Sequence, residues 1–180
     1  MTHTTKFIIF IITCLIVFYP TNASSNNELA ACMPEPIRVM AMGDSHFERG
    51  SPLVRFLERD LGMNYRVVAA GRRGWTSGMW RSRIWQWRAI SRRADIILIS
   101  LSGNDRSNNI PASIFKPNID FLWGVAEEDG AVAQWIVRPS DYTPTPELRR
   151  DGVHLTRNGA RSYARILADT VRTLESRLWP

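Results

Sequence analysis

The sequence predicts an α/β domain, a short parallel sheet of four to five strands with helices on both faces. Three observations carry this. Four apolar runs have strand length: 37–42, 65–69, 96–101 and 132–137. Helical patterns alternate with them, and regular β-α alternation is the signature of a parallel sheet covered by helices. The chain of 180 residues, 44% hydrophobic, has enough apolar material for one core and shows no internal repeat.

The first 23 residues read as a targeting segment. Met1 to Lys6 is short, polar and positive, and Phe7 to Tyr19 is apolar or nearly so. That run is short for a membrane span, which needs about 20 residues, and right for a signal-peptide core. Thr21-Asn22-Ala23 places small residues at the usual cleavage spacing, so cleavage is expected after Ala23, with export to the periplasm or beyond the cell. The competing readings are an uncleaved anchor and a lipoprotein processed at Leu29-Ala30-Ala31-Cys32. The polar stretch between the apolar core and Cys32 speaks against the second. Cys14 would leave with the signal, so a mature chain holding only Cys32 forms no internal disulfide. Residues 24–36, rich in Ser, Asn and Pro, are a loose lead-in, and the folded domain is expected from residue 37 to 180.

The first strand, Ile37 to Met42, runs into Gly43-Asp44-Ser45-His46. A Ser where a strand turns toward a helix sits at the sheet edge, with its hydroxyl toward a cleft and its N–H near a helix start, where developing negative charge is favoured. A helix follows over 52–61, started by Ser51-Pro52. The second strand, 65–69, is followed by Gly71-Arg72-Arg73-Gly74, and a helix is expected from Ser77 to Ile90. The third strand, 96–101, leads into Ser102-Gly103-Asn104-Asp105. A helix over 117–128 precedes the fourth strand. The last loop holds Asp151-Gly152-Val153-His154, and a helix runs over 157–178. Ligands in such sheets bind at the carboxyl ends of the strands. Each of these turns is ordinary alone, since Gly, Asn and Asp are common after strands.

Together they meet the needs of acyl transfer: a nucleophile, a base, a group to orient the base, and donors for an oxyanion. Ser45 is the candidate nucleophile and His154 the candidate base. Asp151 can accept a hydrogen bond from the second ring nitrogen of His154 and fix its tautomer. The backbone N–H groups of Ser45 and Gly74 and the side-chain amide of Asn104 are the candidate oxyanion donors. Asp44 and Asp105 are read as turn and cap residues, and His46 as surface at a helix start.

Gly43-Asp44-Ser45, Gly74, Gly103-Asn104-Asp105 and Asp151-Gly152-Val153-His154 resemble the four blocks of the SGNH (GDSL-type) hydrolases, in the family's order and over residues 37–180. The resemblance implies a flavodoxin-like three-layer α/β/α fold and ester hydrolysis with neither metal nor cofactor. It implies Ser45, Asp151 and His154 as triad and Ser45, Gly74 and Asn104 as oxyanion hole. Two departures stand out. The family usually has Asn two residues before the first Gly of its second block, where this chain has Ala69. Only 46 residues separate Asn104 from Asp151, where the family usually carries two strands and a helix, so the sheet is expected to be one strand short or to end in a very brief one.

Net charge is +6, and since only Lys6 and Lys116 are Lys, 21 of the 23 basic residues are Arg. From Arg72 to Arg93 there are seven Arg, four Trp and no acid. On a helix from Ser77, Trp80, Ile84, Trp87 and Ile90 share a core face. Trp85 falls on the other side, flanked by Arg81, Arg88 and Arg92, and Trp85, Arg81 and Arg88 form a candidate substrate surface, with plain Arg–Trp packing as the alternative. Nucleic acid fits poorly with an exported chain that lacks a recognition motif. The expected function is that of an exported serine esterase on small acyl esters, such as O-acetyl groups of a glycan. A lysophospholipase or thioesterase is the alternative within the same chemistry. A non-catalytic glycan-binding module is the alternative outside it.

Overall fold

A computed structural model describes residues 34–136 and 154–178, and these belong, from Pro36 onward, to one compact unit. The expected signal segment, both cysteines and Asp151 lie outside the described residues, as does the end of the run expected over 132–137.

Among the described residues four parallel strands form one sheet: β1 (Ile37–Gly43), β2 (Tyr65–Ala69), β3 (Ile96–Ser100) and β4 (Val132–Trp135), in the order β2-β1-β3-β4. β1 therefore sits in the middle, with Val39 opposite Val67 on one side and Ile96 on the other. Side chains alternate across a strand, and the two faces hold two core halves. Val39 and Ala41 of β1 and Ile96 and Leu98 of β3 pack under α1 (Pro52–Leu61) and α6 (Arg157–Glu175). Met40, Met42, Ile97 and Ile99 pack under α2 (Ser77–Ser82), α3 (Ile84–Ser91) and α5 (Ala112–Glu128). The sixth helix of the described residues, the short α4 (Gly103–Ser107), follows β3. The three-layer α/β/α order and the four-stranded parallel sheet match the expectation.

Each helix of the first layer starts where its sequence says. The Ser51 side chain accepts from the Val54 N–H at 3.2 Å with Pro52 at the first helical position, and the Thr156 side chain accepts from the Gly159 N–H at 3.1 Å. The Tyr65 hydroxyl donates to Glu175, tying the last turn of α6 to the start of β2. Burial, then that bond, push the Tyr65 phenol up to about 12.

Two helices depart from expectation. The helix foreseen over Ser77 to Ile90 is two helices, α2 and α3, broken at Arg83, whose ψ of 45° lies outside the helical range. In one straight helix Trp80 and Trp87 would be offset by about 10 Å along the axis. With the break their rings meet edge-on at 5.9 Å between centroids, both in the core. α5 begins at Ala112, before Pro117, which lies inside it. Pro117 forfeits one backbone bond near the start of the helix, and Ile119, Leu122, Val125 and Ala126 bury the face beyond it.

Candidate active site

The strand order reverses direction at β1: the chain goes outward to β2, then returns to β3 on the other side. The crevice above the carboxyl ends of β1 and β3 is the place where such sheets take ligands. Ser45 leaves β1 into this crevice as the first residue of a 3-10 turn, Ser45–Phe47. Its Oγ lies 3.2 Å from Nε2 of His154, across 109 residues of sequence. His154 sits just ahead of α6, whose buried face anchors the segment to the sheet. Both residues line an open pocket of about 400 Å³ together with Leu53, Leu155 and Arg73.

The loop after β2 is held against the Ser45 turn. The Gly71 N–H donates to the Phe47 carbonyl at 2.9 Å and the Arg72 N–H to the Gly43 carbonyl at 3.0 Å. A Cβ on Gly71 would lie 2.3 Å from the Asp44 carbonyl oxygen, so only glycine lets the two backbones approach this closely. Gly74 has φ +75°, which favours glycine for a second reason. Among the described residues, neither the Ser45 nor the Gly74 N–H is taken by another acceptor. Asn104, on α4, donates from Nδ2 to the Trp75 carbonyl at 2.9 Å, which ties it to the residue after Gly74 and leaves its second amide N–H. Turns from β1, β2 and β3 thus meet in one crevice, with the loop before α6 bringing His154 to Ser45.

The two carboxylates read as turn and cap residues each accept from a backbone N–H at a helix start. Asp105 is buried and accepts from the Ser77 N–H, at 3.0 Å to Oδ2, and from the Ser77 hydroxyl, at 2.6 Å to Oδ1, joining α4 to the start of α2. Asp44 accepts from the His46 N–H at 3.0 Å. It also sits 2.9 Å from Nδ1 of the same residue. Burial pushes the Asp44 carboxyl up, but the bonds and charge of His46 outweigh it and leave the group below the ordinary carboxylate value.

His46 is not the surface residue expected at a helix start. Its side chain is only 10% exposed, and its ring centroid is 5.6 Å from that of His154. Asp44 turns the ring inward, and the His46 Nε2 is buried with no hydrogen-bond partner among the described residues. The sequence signal was present, an acid two residues before a His around a Ser, but an Asp-X-His turn closes this way only when the acid is itself held in place.

The arginine–tryptophan surface is also different. Trp85 is 68% exposed, as expected. Its neighbours, however, are engaged by α5 and the residue after it. Arg88 pairs with Glu128 and Asp129, each at 2.9 Å, and Arg92 with Asp129 at 3.2 Å. Arg81 donates to Asn118 at 3.1 Å and lies over the Phe121 ring. The segment has no acid of its own, and the chain supplies acids from 40 residues away.

No family model and no curated protein sequence matches the chain. Solved structures do. A protein described as lipolytic and of the G-D-S-L family, from Desulfitobacterium hafniense DCB-2, superposes with a TM-score of 0.59 at 15% identity, covering 73% of this chain and 98% of its own. A carbohydrate acetylesterase family member from Sinorhizobium meliloti gives 0.61 at 17% identity, covering 77% of this chain and 98% of its own. A family 3 carbohydrate esterase from Clostridium thermocellum gives 0.60 at 20% identity, covering 80% of this chain and 100% of its own. Together with the strand order and the placement of the Gly43-Asp44-Ser45 turn, these likenesses show that the fold of this chain is that of the SGNH, or GDSL-type, hydrolases.

Proposed function

We propose that the protein is a serine ester hydrolase acting on small acyl esters, of which O-acetyl groups on a glycan are the leading class. The observation that carries the proposal is the 3.2 Å approach of Ser45 Oγ to His154 Nε2 in the crevice at the strand ends. In the proposed reaction His154 takes the Ser45 proton through Nε2 as the oxygen attacks the ester carbonyl. Asp151 accepts a bond from the other ring nitrogen and stabilises the imidazolium. The tetrahedral oxyanion is met by the N–H groups of Ser45 and Gly74 and the free amide N–H of Asn104. His154 then gives its proton to the leaving alcohol, and water repeats the cycle on the acyl-Ser45. The described pocket, about 400 Å³ and open to solvent, suits a short acyl group, and two of the fold relatives above are described as carbohydrate esterases. A panel of p-nitrophenyl esters of increasing chain length, beside acetylated glycans, tests the substrate class. Turnover highest on acetate supports it, and a maximum at long acyl chains favours the lipolytic alternative instead.

Asn104→Ala is expected to lower kcat by roughly 10²–10³ with little change in KM, because the amide acts on charge that exists only in the transition state. A raised KM with kcat held would make Asn104 a binding residue instead. The proposal includes export, with processing after Ala23. The exported protein should then begin at Ser24 by intact mass, whereas a start at a diacylated Cys32 would establish a lipoprotein and a retained Met1 an anchor.

A further inference from the structure

β2 is an edge strand, and its face toward α3 is incompletely covered. Between them lies an open groove of about 830 Å³. Its apolar lining includes Met40, Val68, Ala70 and Ile90. Its walls are arginine. Arg66 projects from β2, Arg93 from the turn after α3, and Arg49 and Arg72 from the loops after β1 and β2. All four are exposed, and among the described residues none of them forms an ion pair. Arg38 also lines the groove, beside Arg66 in the β1–β2 register, and is held by Asp95 at 2.8 Å. The one acid in the lining, Glu48, is paired with Arg73.

Four arginines with no carboxylate partner among the described residues, Arg72 lying over the Trp75 ring at 6.0 Å, repel one another along one groove, and the arrangement is relieved by an anion lying among them. This contrasts with Arg88 and Arg92, which the chain neutralises with its own acids. We propose that this groove binds a linear carboxylated polysaccharide, whose carboxylates pair with Arg49, Arg66, Arg72 and Arg93 while sugar C–H faces rest on the apolar lining. Guanidinium groups match carboxylates in two-point geometry. A membrane surface fits less well, because it calls for apolar side chains standing proud of the surface, and here they line a cleft. Single-stranded nucleic acid calls for stacking rings, and no aromatic residue lines the groove. The groove leads to the catalytic crevice: Glu48 and Arg49 line both it and the Ser45 pocket. Resting on the esterase reading, this assigns the substrate class as an acylated acidic glycan, gripped along β2 with an ester presented to Ser45.

The test uses the purified protein, with oligogalacturonate as probe and dextran, phosphatidylglycerol vesicles and single-stranded DNA as comparisons. Oligogalacturonate should bind with an affinity that falls as salt rises, and dextran should not bind. The double variant Arg66→Glu with Arg93→Glu should weaken that binding by about tenfold or more, the milder pair Arg66→Gln with Arg93→Gln by less. Both variants should keep wild-type turnover of p-nitrophenyl acetate, which reads the esterase site independently of the groove. Unchanged oligogalacturonate affinity in the folded variants overturns the proposal, and so does salt-independent or absent binding by the wild type. Tighter binding to the vesicles or to DNA than to oligogalacturonate overturns it in favour of those partners. Loss of ester turnover in the wild type, with binding intact, would instead refute the esterase reading and leave the groove as a glycan-binding site.

Discussion

Ser45→Ala is expected to lower kcat on a chromogenic acetate ester by roughly 10⁴ to 10⁶-fold while leaving the far-UV spectrum and melting temperature close to those of the wild type. The fold should tolerate the change. Ser45 is partly exposed, and the hydrogen bond it gives up is the one to His154. The turn that carries it is held by other groups: Asp44 caps it through the His46 N–H at 3.0 Å, and the Phe47 N–H donates to the Asp44 carbonyl at 3.2 Å. What remains in the variant is the residual acceleration of the oxyanion donors and binding. Steady-state kinetics with a scrupulously pure variant decide the matter, and turnover within tenfold of wild type would mean that another residue is the nucleophile.

Asp151→Asn should cost about 10⁴-fold in kcat, with KM nearly unchanged. The argument rests on what the other nearby acid is doing. Asp44 lies in the same crevice, but its Oδ1 is engaged by the backbone N–H of His46 at 3.0 Å and by its ring Nδ1 at 2.9 Å. That engagement is the ground for proposing Asp151, three positions before His154 in the sequence, rather than Asp44 as the orienting group. An amide at 151 presents a donor where an acceptor is needed and favours the wrong tautomer of His154. Kinetics of Asp151→Asn beside Asp44→Asn separate the two acids. If Asp151→Asn is nearly silent and Asp44→Asn takes the large loss, the orienting group has been misassigned.

The sheet was legible because strands buried on both faces are short continuous apolar runs, as in Ile96-Ile97-Leu98-Ile99, where every residue is buried. In the first layer α1 was legible from the chemistry at its start, Ser51-Pro52, whereas the Thr156 cap of α6 emerged only in the structure. The candidate crevice was legible as spacing: Ser45, Gly74 and Asn104 each follow a strand, and parallel strands bring such positions to one edge. What was hidden depends on contacts distant in sequence. The break at Arg83 interrupts a periodicity that Trp80, Ile84 and Trp87 keep intact, and across it the Trp80 and Trp87 indoles meet edge-on in the core. The pairing of Arg88 with Glu128 and Asp129 joins residues 40 positions apart. The inward turn of His46 depends on where Asp44 is fixed, and no local pattern reports that. The arginine groove was hidden for the same reason. Arg49, Arg66, Arg72 and Arg93 belong to different elements and become neighbours only when β2 takes the sheet edge.

The central claim is that Ser45 is an activated nucleophile. Incubation of the folded protein with a fluorophosphonate probe, followed by peptide mapping, tests it most directly, since the reagent reacts with a serine whose proton has a base to go to and whose developing charge has donors to meet it. The expected result is one covalent adduct, on Ser45, lost in His154→Ala. A folded protein that remains unlabelled, or an adduct on any other residue, would contradict it.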